Sequence, residues 1–348
     1  KVEEVLLNGD GSVKGVKYRT LRDTAPGFEK HKNLTLKALK YQLILPPLAA
    51  FLHQRAYKIW ERQSQLACTE APAVVLAAGG FSFNQEMRNQ CLPKFSGVTP
   101  LGTPADDGAG IKLGISAGGS TSYMDRMSAW RFLYPPTALL EGVVVSETGE
   151  RMGAEDVYGA MLTEKMILDF QSRGFLVLDS LQWAKAKKQL TEQTASLVRL
   201  QRTHWLYWGH KKADSLQKLA EKFGVSAEGL TQTVDAYNKA IQRGESDPSH
   251  KMPDMCSPIL KPPFYGIDIS ATRNMGPQAV LGLTLGGLRV DEDTGLVLTD
   301  GGKTINGLYA AGRNAVGVCS QGYISGLSLA DGVFSGRRAA QHAVSTWK

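Results

Sequence analysis

The sequence predicts an α/β fold in which one sheet domain is interrupted by a second, mainly helical domain. Residues 73–78, AVVLAA, form a continuous apolar, β-branched run halted by Gly79-Gly80, the pattern of a strand buried on both faces of a parallel sheet. Far along the chain, residues 307–312, GLYAAG, repeat the theme of an apolar strand stopped by glycine. Between them run helical patterns at 160–172, 181–201, 214–223 and 227–242, closed by a proline-rich stretch at 248–263. A chain of 348 residues is long enough for two such domains, each with its own core.

Taken in order, the elements begin with two β-prone runs at 2–7 and 14–19 around Asn8-Gly9-Asp10-Gly11-Ser12, a hairpin signal. Residues 35–66 have a helical pattern broken at Pro46-Pro47. At 108–114 the glycines of GAGIKLG superficially suggest a dinucleotide-binding turn. They follow Thr103-Pro104-Ala105-Asp106-Asp107 and no strand, so a helix opening at Asp106 or Asp107, with glycines for close packing, is expected. The last helix, 326–344, carries small and apolar residues in its first half. Arg337, Arg338 and His342 lie near its C-terminal end, where cations complement the helix dipole.

Composition narrows the function classes. The charge is 40 − 33 = +7, but basic residues are dense only at Lys185/Lys187/Lys188 and Lys211-Lys212, with no nucleic-acid signature around them. The longest apolar runs, near 41–52 and 73–81, are too short to span a bilayer. Cys68, Cys91, Cys256 and Cys319 are too scattered for a disulfide framework or a Cys-x-x-Cys metal site, so a reducing, cytoplasmic setting is expected. There is no H-E-x-x-H and no G-x-x-x-x-G-K-[ST], and the one G-x-S-x-G string, at residues 114–118, lies within the helix expected from Asp106 or Asp107 and follows no strand, so it is no hydrolase elbow. The run His204-Trp205-Leu206-Tyr207-Trp208 is expected to pack in the helical block, with an aromatic ligand wall as the alternative.

The glycine segments are more specific in combination. VVLAAGGF (74–81), DDGAGIKLGISAGG (106–119), ERMGAED (150–156), LTLGGLRVDEDTGLVL (283–298), GLYAAGR (307–313) and GYISGLSLADGVFSGRRAA (322–340) occur in that order. This series resembles the flavoproteins of the fumarate reductase and succinate dehydrogenase class over nearly the whole chain. Within that class AWRFLYPP (129–136), EDVYGA (155–160) and the 322–340 segment are most similar to 3-ketosteroid dehydrogenases of the 3-oxo-5α-steroid Δ4-dehydrogenase type. The resemblance implies a Rossmann-like FAD-binding domain in two parts, residues 1–127 and 270–348, with an α+β capping domain inserted at 128–269. The G-x-G-x-x-G segment that holds the ADP half of FAD in this class would lie upstream of Lys1, so the domain is expected to be incomplete at its N-terminal side.

The resemblance also assigns roles. FAD would be approached by Ala78, Gly79, Gly80, Asp107, Gly286, Gly287, Gly312, Arg313, Ser325, Leu327 and Ser328. Tyr323 would donate to a steroid C3 carbonyl, Ser325 would take the C4 proton and Tyr158 would relay it, with an external acceptor re-oxidising the flavin. On the residues alone, Ser325 reads as the N-cap of the last helix and Tyr158 as a packed core tyrosine. In the fumarate reductases a His precedes the T-x-G-G segment, and an Arg follows the segment that corresponds here to residues 150–156. Leu283 and Tyr158-Gly159 stand in those places, so the expected substrate is neutral and apolar. Two rival readings are a reductase of another enone or unsaturated acid, and a non-catalytic fragment that binds no FAD.

Overall fold

The computed structural model describes residues 1–42, 44–272 and 279–346. The expected hairpin is present as strands Val2–Leu7 and Val13–Thr20, and a third strand, Gln65–Glu70, extends it antiparallel. The helical pattern that follows is two helices packed on one another, Phe28–Tyr41 and Pro46–Gln63. The second opens with its two prolines in the first turn, where a missing N–H costs nothing.

The two glycine-stopped strands are spatial neighbours. Val74–Leu76 lies parallel to Thr304–Ala310, in the register Val74 to Leu308, Val75 to Tyr309 and Leu76 to Ala310, and Leu296–Leu298 closes the sheet antiparallel. Burial on both faces, expected for the first strand, holds for Leu76 but not for Val75, which is 42% exposed. Among the described residues Val74–Leu76 is one of the two edge strands of its three-stranded sheet, and its Val75 face is left open to solvent.

A four-stranded antiparallel sheet organises the helical block, in the spatial order His210–Ala213, Phe264–Asp268, Phe175–Leu178, Val143–Val145. Successive side chains of a strand point to opposite faces. Val144, Leu176, Leu178 and Ile267 therefore join one core, and Val143, Val145, Phe175, Val177 and Phe264 another. Both faces are buried, which explains why VVV and FLVL show no polar alternation. The first core is continuous from Phe81 and Ile111 through Met127 and Ala129 to Trp183 and Trp205, so packing crosses the expected boundary at 127/128 without a break.

Around this sheet stand helices Gly159–Asp169, Leu216–Phe223 and Ala227–Gln242. The expected single helix at 181–201 is two, Ser180–Gln193 and Ser196–Tyr207, with Thr194 extended between them. Of the aromatic run, Trp205 and Leu206 are fully buried, whereas Tyr207 and Trp208 are exposed. The helix expected from Asp106 or Asp107 starts later, at Ala109–Ser116, because Gly108 takes a left-handed φ of 76° ahead of it. The last helix, Leu327–Thr346, buries only Asp331, Ser335 and Ala339, spaced four apart on one face. No helix among the described residues is long and apolar enough to cross a membrane.

Candidate functional site

Because the two glycine-stopped strands run side by side, the turns after them meet. Asp106, 5% exposed, joins them: its Oδ1 accepts the Gly80 N–H at 2.9 Å and its Oδ2 pairs with Arg313 Nη2. Asn314 Oδ1 accepts the Ala78 N–H at 3.0 Å. Thr284 Oγ1 accepts the Phe81 N–H at 3.0 Å, and the Thr284 N–H returns to Ser82 Oγ at 3.0 Å. Every backbone donor from Ala78 to Phe81 with a bond in this set is held from another part of the chain, so the turn is rigid before any ligand arrives. Gly79 is required here: its φ is +83°, and a Cβ would lie 2.2 Å from Asp106 Oδ1.

Two polar atoms remain unspent. Arg313 Nη1 and Asn314 Nδ2 are buried with no hydrogen-bond partner, a condition that costs free energy until an acceptor is supplied. Gly312 is anchored by its N–H to Ser335 Oγ at 2.9 Å. Asp107 instead serves the helix entrance, its Oδ1 accepting the Ala109 N–H at 2.9 Å. Gly286 abuts the backbone at Tyr123 and Met124, and Gly287 opens a two-residue strand beside Thr121–Ser122 and packs on the Asn314 backbone. Asp106, Thr284 and Asn314 were missed by the sequence reading; a short polar side chain next to a glycine segment was the only available signal.

The three hydroxyl residues converge at the start of the last helix. Tyr158 caps helix Gly159–Asp169 and meets the Phe132 ring edge-on, with centroids 5.5 Å apart. Its Oη accepts the Ser325 backbone N–H at 2.9 Å. Tyr323 lies against Trp130 at 5.3 Å, in a small apolar cluster with Leu283, Leu285, Cys319 and Leu327, and its Oη is 3.2 Å from Ser328 Oγ. Two residues apart, the two side chains face differently: Tyr323 is half-buried, while Ser325 is exposed in a turn completed by Gly326 at φ +91°. Ser325 does not cap the helix; its hydroxyl has no partner among the described residues.

Burial, helped by the nearby Asp331 carboxylate, pushes the Cys319 thiol up to about 11. Burial likewise raises the Asp331 carboxyl above its ordinary value. A cavity of about 480 Å³ lies elsewhere, lined by Arg173, His204, Trp208, His210, Lys211 and Asp268 among others, and none of Tyr158, Tyr323 or Ser325 borders it. No group of three or more metal-ligating side chains is found among the described residues.

Comparison with known proteins agrees with this arrangement. The model of the FAD binding domain family matches residues 48–326. The 3-oxo-5-alpha-steroid 4-dehydrogenase of Comamonas testosteroni is 33% identical over 322 residues, 90% of this chain and 59% of that protein. A probable fumarate reductase of Shewanella frigidimarina is 27% identical over 79% of this chain and 45% of its own length. Among solved structures, the 3-ketosteroid-delta4-(5alpha)-dehydrogenase of Rhodococcus jostii RHA1, in complex with 4-androstene-3,17-dione, superposes with a TM-score of 0.73 at 25% identity, covering 99% of this chain and 59% of that one. The chain thus spans about six-tenths or less of each of these relatives.

Proposed function

We propose, on the premise that this chain belongs to the FAD binding domain family, that it serves a flavin-dependent dehydrogenation that desaturates a 3-ketosteroid beside its C3 ketone, at Δ4 of a 5α-steroid. The observation that carries the proposal is the meeting of Tyr158, Ser325 and Tyr323 near Trp130, Phe132, Leu283 and Leu285, two phenols packed on apolar and aromatic side chains with the exposed Ser325 beside them. A carboxylate substrate would be left without counter-charges in such a place, whereas a ketone on a hydrocarbon frame needs only one donor and apolar contact.

Unspent donors support a place for the cofactor. Arg313 Nη1 and Asn314 Nδ2, beside the locked turn at Ala78, Gly79 and Gly80, suit the oxygen-rich parts of FAD, and Gly312 anchors the same corner. Leu327 and Ser328 open the last helix, whose N-terminal amides favour negative charge. Gly286, Gly287 and Asp107 keep the neighbouring backbone in register. When bound, FAD supplies the acceptor for the hydride leaving the carbon β to the ketone.

The chain's own residues handle the proton and the oxygen. Ser328 Oγ lies 3.2 Å from Tyr323 Oη; with Ser328 as the donor of that bond, the phenol hydrogen is left for the ketone oxygen, where negative charge grows as the α-proton leaves. Ser325, its hydroxyl uncommitted, takes the C4 proton. A serine is a poor base unaided: it takes that proton only by passing its own hydroxyl proton to a deprotonated Tyr158 Oη, an atom that here meets the Ser325 N–H, so the hydroxyl must turn onto it. The Ser325 N–H on Tyr158 Oη orients that phenol and steadies negative charge on it. The proton taken by the protein and the hydride that bound FAD would accept account for the two hydrogens lost, and an external acceptor would re-oxidise the flavin.

The test is anaerobic mixing of the FAD-loaded protein with a saturated 5α-3-ketosteroid. Bleaching of the flavin with formation of the Δ4-enone is expected; bleaching by no ketosteroid, with oxidation of the reduced flavin by fumarate or another enone acid, would move the function to the reductase side of the family.

A further inference from the structure

The loop at 130–136 connects two of the proposed reacting groups, because Trp130 packs on Tyr323 and Phe132 on Tyr158. Its near side is fixed to the helix that Tyr158 caps. The Arg131 N–H donates to Thr163 Oγ1 at 3.0 Å, and Thr163 Oγ1 donates to the Gly159 carbonyl at 2.6 Å. The approach is close enough that a Cβ on Gly159 would stand 2.8 Å from the Phe132 ring and 3.0 Å from the Arg131 carbonyl oxygen.

The far side is held by one side chain from helix Ser196–Tyr207. Arg202, 3% exposed, donates Nε to the Pro135 carbonyl at 2.7 Å and Nη2 to the Phe132 carbonyl, while Nη1 reaches Gln201 Oε1 at 3.1 Å. Its guanidinium lies 4.1 Å from the centre of the Trp205 ring. No carboxylate pairs with it in the described structure. A buried cation kept without a counter-ion is costly, and two of its three hydrogen bonds go to the two carbonyls that bracket the aromatic loop. Lysine, a point charge without the planar fork, serves at most one of them.

The geometry points to Arg202 as a positioning residue for the proposed dehydrogenation: it fixes the Phe132–Pro135 loop, and through Phe132 sets the Tyr158 phenol on the Ser325 amide. This rests on the proposed function for its chemistry but not for its geometry, and the experiment separates the two.

Arg202→Gln, Tyr158→Phe and the double variant are compared with the parent FAD-loaded protein by two readouts. Rapid-mixing flavin bleaching with a 5α-3-ketosteroid should slow about tenfold in Arg202→Gln, and less than about twofold more when Arg202→Gln is added to Tyr158→Phe, because coupled residues are not additive. Amide hydrogen exchange in the 322–327 segment, which needs no turnover, should quicken severalfold in either single variant and no further in the double. Should the Gln variant fail to fold, Arg202→Lys carries the same expectations at smaller size. Additive losses, or unchanged exchange at 322–327 in a folded Arg202 variant, would overturn the assignment. A parent protein that no ketosteroid bleaches would instead remove the proposed chemistry, with the exchange data still deciding whether Arg202 sets Tyr158.

Discussion

Removing the Asp106 carboxylate tests whether the glycine turn is built before the cofactor binds. In Asp106→Ala the Gly80 N–H loses a charged acceptor at 2.9 Å, a bond of about 1.5–3 kcal/mol. The pair with Arg313 goes as well. Because the Arg313 side chain is 21% exposed, this pair falls between a surface bridge and a buried one, at about 1–2 kcal/mol. Both losses come from one carboxylate and overlap, so the net cost is about 3 kcal/mol. Asp106→Asn keeps an acceptor for Gly80 and loses only the charge, so about half that cost is expected. Urea unfolding reads the stability, and flavin fluorescence during an FAD titration reads the affinity. The Ala variant should show a lower midpoint at unchanged slope and weakened FAD binding, with Asn between it and the parent. Stability within about 0.5 kcal/mol of the parent together with unaltered FAD affinity would refute the account of the turn.

Gly79→Ala should cost more than about 2 kcal/mol, since alanine at φ +83° is strained and its Cβ displaces Asp106; a thermal melt reads the loss, and FAD affinity should fall with it. Ser325→Ala should slow flavin bleaching by about 10²- to 10⁴-fold while leaving FAD affinity unchanged, because the hydroxyl acts on substrate and the backbone N–H to Tyr158 is kept. The helical block should show an acid-sensitive stability traceable to Asp247. Burial alone would raise this carboxyl, but Arg151 and the Lys251 N–H overcome it and hold it below the usual carboxylate range. A depressed folded-state value means that the stabilisation is complete above the unfolded value of about 4 and is lost as pH falls through the folded one. Melting temperature measured from neutrality to pH 3 should therefore fall more steeply in the parent than in Asp247→Asn.

The parts of the fold that were legible in the sequence are those with local signals. The hairpin was marked by Asn8-Gly9-Asp10-Gly11-Ser12, the two sheet strands by apolar runs ending in glycine, and helix Ala227–Gln242 by its periodicity. The four-stranded antiparallel sheet was hidden. Val143–Val145 and Phe175–Leu178 bury both faces and so lack alternation, while His210–Ala213, HKKA, carries three exposed or half-exposed polar residues and reads as a basic patch. The site divides in the same way. Tyr158, Tyr323 and Ser325 were found through family motifs, but their mutual geometry depends on contacts between segments far apart in sequence. Thus the Tyr158 phenol meets the amide of Ser325, where a relay through the hydroxyl was expected. Asp106 and Arg202 announce nothing locally, since each acts on carbonyl or amide groups that only the tertiary fold brings to it.

Tyr323→Phe addresses the central claim most directly, because it keeps the ring against Trp130 and removes only the phenol that would meet the growing charge on the ketone oxygen. A donor aimed at a developing oxyanion contributes more in the transition state than in the ground state, so kcat should fall by about 10²- to 10³-fold while KM rises less. Single-turnover flavin bleaching by a 5α-3-ketosteroid, with the flavin spectrum and melting temperature unchanged, is the result predicted. Bleaching within about threefold of the parent rate would remove Tyr323 from the chemistry and contradict the assignment of this hydroxyl cluster to ketone activation.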